Sequence, residues 1–103
     1  LVEQGAKVNQ SDKENASPLI NACRSADDTT IKYLIDQGAD VNHHDINGIT
    51  PLMYACERNE SLTIVKYLVE HGAKINYKNK HGYSPLITAC QYQHQEIVQY
   101  LVE

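Results

Sequence analysis

The chain has 103 residues, 42% of them hydrophobic, enough for one domain with its own core and too many for a disordered tail. Nine basic against 13 acidic side chains leave a net charge of −4, too weak and of the wrong sign for a nucleic-acid or anionic-membrane binder. No apolar run approaches the roughly 18 residues of a membrane span, so no membrane insertion is expected.

In chain order, the first landmark is "LVEQGAKVN" at Leu1, which returns as "LIDQGADVN" at Leu34 and "LVEHGAKIN" at Leu68, steps of 33 and 34 residues. "SPLINAC", "TPLMYAC" and "SPLITAC" start at 17, 50 and 84, and "IKYLI", "VKYLV" and "VQYLV" at 31, 65 and 98. Ser17, Thr50 and Ser84 are candidate N-caps, each followed by proline at the first helical position. In the middle copy Leu52, Ala55 and Cys56 form one apolar stripe of a helix of about nine residues, too short to persist alone in water. A second helix in "TIVKYLVEHG" would bury Ile64, Val65, Leu68 and Val69, with Lys66 and Glu70 as an exposed i, i+4 pair. Gly5, Gly38 and Gly72 stop the second helices. The polar stretches that follow, with Asn15, Gly48 and Gly82 at one position, predict an extended pair with a tight turn. Each unit is a turn, two short helices and a projecting hairpin; stacking buries what no unit can bury alone.

These residues resemble the ankyrin repeat. "DINGITPLMYAC" from Asp45 follows the first half of the family pattern, and "HQEIVQYLV" from His94 and "LIDQGADVN" from Leu34 follow the second. The resemblance implies an all-α solenoid of stacked ankyrin repeats, helix–turn–helix pairs with projecting β-hairpin loops. It divides residues 1–103 into the end of a preceding repeat (1–11), repeats over 12–44 and 45–78, and a partial repeat (79–103). The text starts in mid-pattern at Leu1 and stops inside a second helix, so a longer parent is expected. Ile20, Met53 and Ile87 replace the family's usual histidine, which predicts apolar packing near the hairpin base. "SADDTT" departs from the usual text between the helices, and "NESLTI" carries one extra residue.

Cys23, Cys56 and Cys90 keep the repeat step, and equivalent positions in stacked helices lie roughly 8–10 Å apart, too far for a disulfide. They read as small core residues. His43, His44, His71 and His81 read as loop residues, with no carboxylate or thiol at ligand spacing. No nucleophile–base pair or phosphate loop is visible; no enzyme activity, catalytic residue, metal or cofactor is expected. Tyr33, Tyr67 and Tyr100 are periodic and read as packing residues. Asn42, with Leu34 eight residues before it, resembles hydroxylated asparagines of some animal ankyrin repeats; hydrogen bonding to the hairpin backbone is the preferred reading.

The family's partners meet hairpin tips and the concave side of the first helices. Carried onto this chain, and weighted toward aromatic, arginine and period-breaking residues, that implies partner contacts at Ile46, Ile49, Tyr54, Arg58, Lys80, His81, Tyr83 and Tyr92. Lys74, Lys78, Lys80 and His81 make the third hairpin basic, read as a solvated surface ahead of a site for an acidic partner. The expected function is a protein–protein interaction module (an adaptor, scaffold or substrate-recruiting arm), monomeric and intracellular, in cytoplasm or nucleus. The alternatives are the targeting or regulatory arm of a multidomain enzyme or channel, and a structural spacer.

Overall fold

Each of the three Ser/Thr-Pro pairs starts a helix. In the computed structural model, which describes residues 7–58 and 61–103, six helices follow in order: α1 (Pro18–Arg24), α2 (Asp28–Asp36), α3 (Pro51–Glu57), α4 (Leu62–Glu70), α5 (Pro85–Gln91) and α6 (Gln95–Val102). The Ile20, Met53 and Ile87 amides donate to Ser17 Oγ, Thr50 Oγ1 and Ser84 Oγ at 3.2, 3.3 and 3.2 Å, so one orphan donor of each first helix is satisfied. Among the described residues no helix is long and apolar enough to cross a membrane.

The helix ends show why the units turn back so tightly. At α2 and α4, Gly38 (φ +95°) and Gly72 (φ +99°) let Ala39 and Ala73 donate to the Leu34 and Leu68 carbonyls, a Schellman closure. The same closure ends α1 and α5 with Ala26 and Gln93, both at φ +60°, where the sequence shows no glycine. The left-handed backbone there costs about 1–2 kcal/mol per residue, tolerated because the next helix packs back directly. The middle unit differs. Its extra residue leaves Arg58 extended (φ −93°, ψ 139°), and α3 has seven residues, as α1 and α5 do, shorter than the sequence predicts. Ser61 then donates its hydroxyl to the Ala55 and Arg58 carbonyls and ties the loop. The irregular "SADDTT" also forms its helix: Asp27 caps α2 by accepting from the Thr30 amide and hydroxyl at 3.2 and 2.6 Å.

Stacking buries a continuous core. Leu19 and Cys23 of α1, Ile31 of α2, Leu52, Ala55 and Cys56 of α3, and Ile64, Val65 and Leu68 of α4 are almost wholly inaccessible. Each large aliphatic side chain so buried contributes about 1.5–3 kcal/mol. Ile20 and Met53 are buried as expected, whereas Ile87 is 40% exposed and Cys90 is exposed. The expectation of a buried third cysteine is thereby corrected: among the described residues no helix packs over that side of α5. Val69 is half-buried, and Lys66 forms no ion pair with Glu70 among the described residues. Instead Lys32 Nζ lies 5.8 Å from the Tyr67 ring centroid and Lys66 Nζ 5.6 Å from that of Tyr100. The periodic tyrosines thus tie each second helix to the next by cation–π contact, and Tyr67 adds a hydrogen bond from its hydroxyl to Asp36.

The hairpins are tighter than an extended pair. Each closes by two backbone bonds: the Asp12, Asp45 and Asn79 amides donate to the Ala16, Ile49 and Tyr83 carbonyls, and their carbonyls accept from the Asn15, Gly48 and Gly82 amides; no regular strand forms among the described residues. A side-chain oxygen fills each turn. Asp12 Oδ1 accepts from the Glu14 and Ala16 amides, Asp45 Oδ1 from Asn47 and Ile49, and Asn79 Oδ1 from His81 and Tyr83, at 2.9–3.0 Å. Neighbouring hairpins are also joined. The Ile46 amide donates to the Glu14 carbonyl, Asn15 Nδ2 to that of His44, and His43 Nε2 to that of Asn15. Asn42 donates to Gly72 and accepts from the Lys74 amide, as Asn9 does with Gly38 and Asp40. Its side chain bonds the backbone of the next unit, as the preferred reading of Asn42 holds.

Candidate functional site

The side-by-side placement of α3 and α5 opens a groove of about 210 Å³ at the base of their hairpins. Ile49 and Tyr83 enter from equivalent hairpin positions, one residue before the helix caps Thr50 and Ser84. Met53 and Glu57 line it from one face of α3 at i and i+4, and Thr88, Gln91 and Tyr92 line it from α5. Tyr83 is 41% and Tyr92 51% exposed, so both rings stand as accessible walls beside an almost inaccessible Met53.

Glu57 is the one charged side chain of this lining. Its partial burial pushes the carboxyl above the usual glutamate range. Its backbone is held from the neighbouring unit: the Glu57 carbonyl can only accept, so His94 Nε2, 2.8 Å away, carries the proton. The His94 ring in turn stacks against Tyr92, with centroids 6.1 Å apart.

A second groove of about 210 Å³ lies on the α1 side of α3, lined by Cys23, Arg24, Tyr54, Glu57 and Arg58. The guanidinium of Arg58 bridges units through an ion pair with Asp28 at 3.4 Å, and its buried Nε has no acceptor among the described residues. The Tyr54 hydroxyl donates to Asp45 Oδ2, so it braces the second hairpin; burial and that bond push its pKa upward. The Arg24 guanidinium lies 6.0 Å from the Tyr54 ring centroid.

The structure therefore sorts the eight sequence-derived positions into three sets. Ile49, Tyr83 and Tyr92 converge in one groove, and Tyr54 and Arg58 line the other with their polar ends engaged within the fold. Ile46, 63% exposed, and the exposed Lys80 and His81 stand on the hairpin tips. Glu57, a variable position of the first helices, and Met53, expected to pack near the hairpin base, stand outside those eight. The available signal was Glu57 in the column of Arg24 and Gln91, where the charge changes sign between copies.

Repeated helix pairs and bonded hairpins define a class: a solenoid of stacked helical repeats. A family model described as ankyrin repeats (3 copies) matches residues 1–79 and 19–103, and the chain belongs to the ankyrin-repeat family. Repeats of this family are in general protein–protein interaction modules. No curated protein matches the chain.

Proposed function

We propose that this chain is an adaptor or recruiting arm that binds a partner protein through the α3–α5 groove and the hairpin tips beside it. The carrying observation is the convergence of Ile49, Tyr83 and Tyr92, from two units, on one open groove. Aromatic side chains supply large contact area at low entropic cost and dominate interface energies. The hydrogen bonds between hairpins hold the face in shape before binding, which lowers the ordering cost. Three free thiols, two of them buried, fit a protein of a reducing intracellular compartment.

The test is affinity capture from a lysate of the source cell with two baits, the native chain and one with Ile49, Tyr83 and Tyr92 changed to alanine. Circular dichroism must show both equally folded. A captured protein, purified and titrated, is expected to bind the triple variant at least about thirtyfold more weakly. Equal binding would move the site off this groove, and no retained protein would favour a spacer.

A further inference from the structure

The α3–α5 groove has an uneven chemistry that selects among partners. Its floor and walls are Met53, Ile49, Tyr83 and Tyr92, and its one charged group is the Glu57 carboxylate in the last turn of α3. The negative end of a helix dipole disfavours a carboxylate, and partial burial strips it of water. Among the described residues that carboxylate makes no hydrogen bond or ion pair. Glu57 also borders the second groove with Arg24 and Arg58, but Arg58 is paired with Asp28, the Arg24 guanidinium lies over the Tyr54 ring, and neither forms an ion pair with it. The groove therefore holds a carboxylate with no ion pair of its own beside aromatic faces, and the charge complementary to it is a cation.

Size narrows the occupant further. At about 210 Å³ the space is smaller than the ~300–1,000 Å³ of pockets that enclose drug-sized molecules, and it is partly open to solvent. It suits one long side chain. Lysine and arginine lay an apolar stem on hydrophobic surface while the head reaches a polar group, and both are attracted to tyrosine faces.

Resting on the proposed binding role of this groove, we infer that its partner is a protein segment that inserts a lysine or arginine. The stem lies along Ile49, Tyr83 and Tyr92, and the cationic head meets Glu57, with the Gln91 side-chain oxygen as a second acceptor within the lining. Binding would give Glu57 the ion pair that it does not make in the free protein.

A phage-displayed library of random dodecapeptides, panned on the full chain, tests this without knowledge of the natural partner. The selected peptides are expected to carry lysine or arginine in a fixed register with an apolar neighbour. Glu57→Gln should weaken a synthesised consensus peptide at least about tenfold, and replacing the peptide's basic residue by norleucine should cause the same loss without adding to it. Glu57→Lys should select acidic peptides instead. Equal unfolding midpoints for all variants keep these losses assignable to the groove. Peptides that lack a fixed basic residue, or that bind Glu57→Gln as tightly as the native chain, overturn the inference. If they still fail to bind a Tyr83→Ala, Tyr92→Ala variant, the groove remains the docking site. Peptides indifferent to the tyrosines, or no enrichment above background, overturn the docking groove and the cation preference together.

Discussion

At the residue scale, the hairpin tips show how one position is constrained twice. Gly48 has φ +77°, and a Cβ there would lie 2.9 Å from Asn79 Cβ, a contact that neither hairpin can yield without shifting. Gly72 has φ +99° but open space where its Cβ would be. Gly72→Ala should therefore cost about 1 kcal/mol from backbone strain alone, and Gly48→Ala about 2–3 kcal/mol from strain plus the clash. Urea unfolding of the two variants beside the native chain measures the difference; equal losses would show that the hairpins are not in contact. The sequence showed that this position needs a left-handed residue, because Asn15, Gly48 and Gly82 share it, and Asn15 does take φ +61°. It could not show the approach of Asn79, which depends on how close two units settle.

At the scale of the element, the three hairpins are built on the same turn with different chemistry at its centre. Backbone bonds from Ala16 and Glu14 hold the Asp12 carboxyl below its ordinary value of 3.8, whereas Asn79 fills the same place with an amide that does not titrate. For an acid whose folded pKa is lowered, stabilisation is present above the unfolded value and lost as pH falls through the folded one. The first hairpin should thus loosen below pH 3.8 while the third is unaffected by this route. In NMR titrations the Glu14 and Ala16 amide shifts should move with the Asp12 carboxyl carbon, and the Tyr83 amide should show no matching transition. Asp12→Asn should abolish the step; its persistence would assign it to another group. At this scale the helix starts were legible, since Ser/Thr-Pro pairs act within one turn. The stops of α1 and α5 were not, because Ala26 and Gln93 have no intrinsic preference for the backbone that the following helix imposes on them.

At the scale of the whole molecule, repeats equivalent in sequence are unequal in environment. Cys23 and Cys56 lie between units, where burial pushes their thiols up to about 12, while Cys90, at the same repeat position, is exposed. In the folded chain a maleimide should label Cys90 at pH 8, and Cys23 and Cys56 only at the rate of unfolding. Mass spectrometry of timed, quenched samples reads the order. Protection of all three would mean that another molecule, such as a second copy, covers the outer side of α5 in solution.

What the sequence by itself determined is local and periodic: the spacing of the units, their caps, the apolar stripes and the turn chemistry, each set within a few residues. It also marked Ile49, Tyr83 and Tyr92 as departures from the period. Only the tertiary structure decided which departures meet. Glu57 joins those three residues because α3 and α5 lie side by side, whereas Tyr54 and Arg58 are drawn into bonds with Asp45 and Asp28. The reason is physical: periodicity fixes which face of a helix a residue occupies, but its charge state and free valences depend on neighbours 9 to 30 residues away along the chain, brought near only when the core closes.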